Sequence, residues 1–174
     1  MDSTLQWYAI YTRSRHEKKS ALLISELGIE TYVPLRRVVR QWSDRRKLIL
    51  EPVIRSYVFV KVDRSHYEKV LAIDGVVRYI WFGGKPAVIP EKQINIMKAA
   101  LGNEVDIQAV PELLKVGMPV RVTAGPLAGM EGELLRFHGR KKVAIKLETI
   151  GQTLLFTISP LLLEPIPQTQ ILNP

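Results

Sequence analysis

Apolar and polar positions change period several times along this chain of 174 residues, and each change marks an element. Trp7-Tyr8-Ala9-Ile10-Tyr11 predicts a short aromatic-rich strand. Ser14-Arg15-His16-Glu17 has the S-x-x-E spacing of a capping box, in which serine and glutamate side chains satisfy free amides at a helix start. Leu23, Ile24 and Leu27 form the predicted inward face of that helix, and Gly28 ends it. Glu30 to Pro34 predicts a second strand. Val38-Val39 and Leu48-Ile49-Leu50 flank Ser43-Asp44 as the arms of a hairpin flank its tip. Tyr57 to Val62 is apolar nearly throughout, as a strand covered on both faces would be. A second capping box, Ser65-His66-Tyr67-Glu68, opens a short helix through Ile73. Asp74-Gly75 then turns into a strand from Val76 to Trp81, closed by Gly83-Gly84. Pro90 starts a third helix, with Ile94, Met97 and Leu101 at helical spacing.

The pattern then changes character. Gly102-Asn103-Glu104 ends the third helix, and Val105 to Glu112 shows no period. From Val116 to Leu135 short β runs are broken by Gly117, Gly125, Gly129 and Gly132. Val120 and Val122 alternate with Arg121 and Thr123, a period-2 strand with one dry and one wet face. Strands mixed with helices, followed by strands alone, predict an α+β domain over 1–102, a linker over 103–112, a small all-β barrel over 113–166 and a loose tail over 167–174.

Composition narrows the class. At 47% hydrophobic the chain can bury a core. It has no cysteine, which excludes disulfides, thiolate metal sites and cysteine nucleophiles and suits a reducing compartment. No apolar run approaches the roughly 20 residues of a membrane helix. The first residues lack the basic and apolar regions of a signal peptide, so the expectation is a cytoplasmic monomer that engages no membrane. The formal net charge is +8, which favours polyanionic partners. Most of that charge lies between Arg13 and Lys47.

Candidate catalytic chemistry is sparse. His16, His66 and His138 fall on different elements, none with a ligand-like partner four residues on, so no metal and no cofactor is expected. Asp44, Asp63 and Asp74 sit where turns and helix caps use aspartate. Gly83-Gly84-Lys85 lacks phosphate-loop spacing. A non-enzyme is the expectation. The basic residues make the stronger case. Arg13, Arg15, His16, Lys18 and Lys19 surround the first helix start, where the helix dipole also favours phosphate. Arg36, Arg37 and Arg40 lie on the basic hairpin with Trp42 near its tip, a combination suited to phosphate and base contacts. Tyr57 and Phe59 share one strand face, which would need a partner, such as a rigid helix, if it were left open.

Four segments in this order resemble the NusG family of transcription factors. They are Trp7-Tyr8-Ala9-Ile10-Tyr11, Tyr57-Val58-Phe59-Val60, Gly75-Val76 with Trp81 to Pro90, and the glycine-punctuated run with Gly117, Val120, Val122, Gly125-Pro126-Leu127, Gly129 and Gly132. The resemblance runs from Trp7 to about Ile166. It implies an NGN domain, an antiparallel sheet flanked by helices, linked to a small SH3-like β-barrel, the KOW domain. It also implies RNA polymerase as partner: Tyr57, Phe59 and Phe82, with Ile54 beside them, would meet the clamp helices of the largest subunit. His66, Tyr67 and Glu68 would face the gate loop of the second subunit. Arg13, His16 and Lys19 would read non-template DNA, nascent RNA being the other candidate. The KOW domain would recruit a ribosomal protein or termination factor. Arg55-Ser56 departs from the proline and small residue the family carries before the tyrosine. The basic first helix and compact hairpin are similar to specialised RfaH-like and UpxY-like paralogs. The expected function is antitermination and processivity on selected operons. The alternatives are a housekeeping elongation factor and an RNA-binding, ribosome-associated KOW protein.

Overall fold

The computed structural model describes residues 4–111 and 117–167. They belong to two compact units that divide between Ile94 and Asn95.

The N-terminal unit begins with β1 (Gln6–Thr12), α1 (Glu17–Glu26) and β2 (Glu30–Tyr32). A hairpin of β3 (Leu35–Gln41) and β4 (Arg46–Pro52) follows, then β5 (Tyr57–Val62), α2 (Tyr67–Leu71) and β6 (Val76–Tyr79). Three two-residue strands, β7 (Trp81–Phe82), β8 (Lys85–Pro86) and β9 (Val88–Ile89), lead into α3 (Glu91–Gly102). The main sheet is antiparallel, in the order β2-β5-β1-β6, with β9 also on β1. Strand alternation sends Ile10, Val58, Val60, Val62 and Tyr79 into one core with Ala21, Ile24 and Val70 of the helices. The opposite face is also dry, since Trp7, Ala9 and Phe59 are buried too. Burial on both faces is why β5 reads as a continuous apolar run. Cross-strand pairs lock the register: Tyr11 meets Tyr57 edge-on at 5.7 Å, and the Lys61 ammonium lies 5.9 Å from the Trp7 ring. Gly83 and Gly84 join β7 to β8, both at positive φ, the geometry of a two-residue type I′ turn.

Neither expected capping box forms. His16 is the N-cap of α1 and makes no side-chain cap. The Glu17 carboxylate instead accepts a hydrogen bond from the Ser56 backbone N–H at 2.8 Å. Burial decides this: the Ser56 amide lies inside, where an unpaired donor is costly. At α2 the N-cap is His66, again without a side-chain cap, and the turn before it is held by Asp63, which accepts from the Ser65 N–H at 2.9 Å and the His66 N–H at 3.2 Å. Leu27 is exposed, contrary to expectation, because the inward face is Glu17, Ser20, Ala21 and Ile24. The second helix stops at Leu71, short of Ile73, and β6 ends at Tyr79, with Trp81 opening a new hairpin.

The C-terminal unit is a six-stranded antiparallel sheet: β10 (Ile107–Val110), β11 (Met118–Val122), β12 (Glu131–Phe137), β13 (Arg140–Leu147), β14 (Gln152–Phe156) and β15 (Leu163–Pro165). Their order is β10-β14-β13-β12-β11-β15. Val120, Val122, Leu127, Met130, Val143 and Phe156 are buried. β10 falls within the segment expected as linker. Its burial runs inward at Ile107 and Val110 only, so no period-2 signal exists, and pairing with β14 creates the strand. The buried Lys142 ammonium reaches Asp106 at 3.2 Å, anchoring the approach to β10. Gly117 and Gly132 mark close approaches of backbone: a Cβ on Gly132 would sit 2.7 Å from the Ala144 carbonyl oxygen. Residues 113–116 and 168–174, parts of the expected barrel and tail, lie outside the described residues.

Candidate nucleic-acid and partner surfaces

The aromatic residues singled out in the sequence separate into buried and exposed members. Ile54 is 2% and Phe59 0% exposed, and Phe59 stacks on Tyr32 at 6.4 Å. The Tyr57–Phe59 strand face is therefore closed at Phe59, which belongs with Ile54 to the core. Tyr57 is half-buried. Phe82 and its neighbour Trp81 are more than half exposed on the β7–β8 hairpin. The tight glycine turn explains their exposure, since a two-residue hairpin has no second layer to fold under.

The basic residues near α1 also separate. Arg13 and Lys19 both ion-pair with Asp74, Lys19 at 2.7 Å. β1 pairs with β6, and that pairing brings residue 13 beside residue 74. The Arg13 N–H donates to the Gly75 carbonyl at 2.8 Å, and the Ser20 hydroxyl to the Asp74 carbonyl at 2.9 Å. The hydrogen bond from Lys19, then the charges of Lys19, Arg13 and His16, hold the Asp74 carboxyl below its usual range despite partial desolvation. His16 lies at this cluster, its Nδ1 3.1 Å from the Ser14 carbonyl oxygen. Arg15 is exposed and sits at φ 65°. Lys18 points elsewhere, donating to the Leu50 carbonyl at 2.6 Å. Asp74 is the member that sequence reasoning placed only in a turn. Nothing in linear spacing links positions so far apart.

The β3–β4 hairpin does not present its cations as one patch. Residues alternate across it, so Arg36 and Arg40 share a face with Glu51, and Arg37 lies on the other. Arg40 reaches Glu51 at 3.3 Å, and Arg55 reaches it at 3.2 Å. Although desolvation raises its pKa, the Arg55 hydrogen bond and the charges of Arg40 and Arg36 leave the Glu51 carboxyl below its ordinary value. The Arg36 Nε is buried and has no hydrogen-bond partner among the described residues. Trp42 is exposed at the tip, its N–H donating to the Arg45 carbonyl at 2.8 Å.

A third feature is a depression of about 740 Å³ lined by Tyr8, Asp63, Tyr67, Glu68 and Trp81, among others. Tyr67 stacks on Tyr79 at 3.8 Å, and burial pushes the Tyr79 phenol well above its usual pKa. His66 is not among the lining residues, but its Nδ1 lies 2.8 Å from the carboxylate of Asp63, which is. Hydrogen bonds from Ser65 and then His66 depress the Asp63 pKa strongly. Sequence reasoning chose His66, Tyr67 and Glu68 but missed Tyr8, which β1 contributes from across the sheet. No three His, Asp or Glu side chains among the described residues are grouped to hold a metal ion. No helix among them is long and apolar enough to cross a membrane.

These features define a two-unit protein: an α+β unit with exposed aromatic and basic surfaces, and an all-β unit. Residues 5–98 match the family model for the transcription termination factor NusG, and the chain belongs to the NusG family. Among solved structures it is similar to NusG of Thermotoga maritima, from a study of domain interaction. That match has 20% identity and a TM-score of 0.54, over 94% of this chain and 98% of that one, a likeness of fold. Two conformations of the MjSpt4:Spt5 complex also match at 16% identity. They cover 92% and 93% of this chain and 97% of theirs, with TM-scores of 0.29 and 0.30.

Proposed function

We propose that this protein is a transcription elongation factor that binds RNA polymerase through its N-terminal unit and suppresses pausing and termination on selected operons. Membership of the NusG family across that unit carries the reading. The protein acts in the cytoplasm as a binding factor rather than an enzyme. The N-terminal unit serves as an NGN domain, and the six-stranded sheet as the SH3-like KOW barrel that recruits a ribosomal protein or termination factor. Phe82 and Tyr57 supply the polymerase contact to the clamp helices, with Phe59 and Ile54 supporting them from the core. His66 and Tyr67 face the gate loop at the depression that Tyr67 lines. Docking that favours the closed clamp biases polymerase against paused states, and a few kcal/mol of such bias changes pausing substantially. The cluster around Arg13, His16 and Lys19 adds attraction to the exposed non-template strand, and base contacts there select the operon.

The test is a purified elongation assay on a template with a terminator, comparing the wild type with Phe82→Ala and Tyr57→Ala. Both variants retain the buried Phe59, so both should fold and lose read-through. Unchanged read-through in the double variant would sink the docking assignment. The family's description as a termination factor favours a second reading, a housekeeping factor on most genes. Chromatin occupancy separates the two: uniform association with polymerase supports the second, and a few operons support the first.

A further inference from the structure

The cations on strands β10 to β15 fall into two sets. Arg121, Lys142 and Lys146 each hold a carboxylate, that of Glu131, Asp106 and Glu133 respectively. Arg136, Arg140 and Lys141 are exposed, and their side chains form no ion pair or hydrogen bond among the described residues. All three stand at the tip of the β12–β13 hairpin, where Arg136 pairs directly with Lys141 and Phe137 with Arg140. Like charges set opposite one another repel, so the tip carries an uncompensated positive field. On the Arg140 face the Asp106 carboxylate is already engaged, by Lys142 at 3.2 Å and the Thr157 hydroxyl at 2.6 Å. The turn also breaks a local preference. His138 and Gly139 have φ 46° and 76°, the two positive values of a type I′ hairpin turn. Asparagine or aspartate is the usual residue ahead of that glycine. Here an exposed imidazole takes the place, held edge-on to the Phe137 ring at 4.2 Å. Phe137 is in turn packed on the buried cluster of Val110, Ala144 and Leu155.

We infer that this hairpin tip binds single-stranded nucleic acid, with phosphates on Arg136, Arg140 and Lys141 and one base stacked on His138. Guanidinium and ammonium groups that hold no carboxylate take up phosphate without first breaking an ion pair. Histidine rings and arginine planes stack on unpaired bases. A ring already oriented by Phe137 loses less freedom when a base lands on it. A duplex keeps its bases within the stack and offers the tip its phosphates alone. No large apolar side chain is exposed on β12 or β13, so a protein partner or an acyl layer finds no anchor there. RNA and DNA strands share the chemistry that this tip recognises. The site lies in the C-terminal unit and does not rest on polymerase docking by the N-terminal one.

The test uses the full chain, isotopically labelled for amide NMR, titrated with short oligouridine RNA, oligothymidine DNA, duplex DNA and polyglutamate. The expected result is saturable perturbation of Arg136, His138, Arg140 and Lys141 by a single strand. The tighter of the two single strands identifies the ligand as RNA or DNA, and either supports the inference. Arg136→Gln/Lys141→Gln removes two phosphate contacts, so the log–log salt slope read at the tip should fall by about 1.4. His138→Asn keeps a residue that tolerates positive φ and removes the stacking ring. It should weaken binding roughly fivefold or more and leave the salt slope unchanged. The amide spectra of both variants show directly that the fold is kept. The inference is overturned if single strands perturb only the N-terminal third, a result that leaves the polymerase reading standing. It is equally overturned if duplex DNA or polyglutamate perturbs the tip as strongly, or if His138→Asn binds unchanged.

Discussion

The Glu17 carboxylate and the Ser56 backbone N–H stand 2.8 Å apart in a buried hydrogen bond that ties the start of α1 to the turn entering β5. Ser56 has φ 62°, a left-handed conformation that costs a non-glycine residue energy, and the hydrogen bond holds it there. Glu17→Ala leaves the Ser56 donor unpaired in the interior. It should lower stability by about 1–3 kcal/mol in urea unfolding. Glu17→Gln keeps an acceptor oxygen and should lose clearly less. Equal losses for the two variants would refute the assignment.

Asp74 offsets Arg13 and Lys19, so it restrains the basic cluster rather than contributing to it. Asp74→Asn should release both cations and tighten binding to single-stranded DNA at low salt. Each added phosphate contact steepens the salt dependence by about 0.7 in log–log slope. Arg13→Gln/Lys19→Gln should do the reverse. Fluorescence anisotropy across a salt series reads both, and an unchanged slope in Asp74→Asn would exclude the cluster from the interface.

Asp63 gives the fold a defined acid sensitivity. Its pKa is depressed in the folded protein by hydrogen bonds from Ser65 and His66, below the ordinary value of 3.8. A depressed folded pKa means the unfolded chain binds the proton more readily, so the stabilisation is whole above the ordinary value. It is lost as the pH falls from there toward the folded value. Unfolding midpoints measured through this acidic range should fall for the wild type. Asp63→Asn, which cannot ionise, should be less stable at neutral pH and show a shallower fall.

Gly132, on β12, lies close against the backbone of β13. A methyl group there would meet the Ala144 carbonyl oxygen at 2.7 Å and the Val143 Cγ1 at 2.9 Å. Gly132→Ala should part the strands and cost roughly 1–3 kcal/mol, since overpacked sites relax only partly. Gly102→Ala, where no atom lies within 4 Å, should leave stability unchanged or raise it by up to about 1 kcal/mol. Calorimetry on the two variants separates packing from backbone entropy.

Period and punctuation were enough to locate most elements. The dyad alternation of Val120 and Val122, the apolar run of β5 and the helical spacing of Ile94 and Met97 all report burial that local residues carry themselves. Capping was less legible. Ser14 and Glu17 have the spacing of a box, yet Glu17 answers an amide 39 residues away, and spacing cannot see that competitor. β10 was invisible because its partner, not its pattern, makes it a strand. Among the site residues, the basic character of the first third was plain from the chain. Its division into an Asp74-clamped cluster and a Glu51-neutralised hairpin face was not.

Side-chain pattern along the chain was enough to place most strands and helices, the segments that carry positive charge and the glycines that punctuate the second unit. These follow from side-chain chemistry acting over a few residues. That Phe59 and Ile54 are core while Phe82 and Trp81 face solvent came from the packing of the whole chain, because burial depends on what the rest of the chain lays across a face. The same packing brought Asp74 to Arg13 and Tyr8 to Tyr67, since strand pairing joins residues that no local period relates.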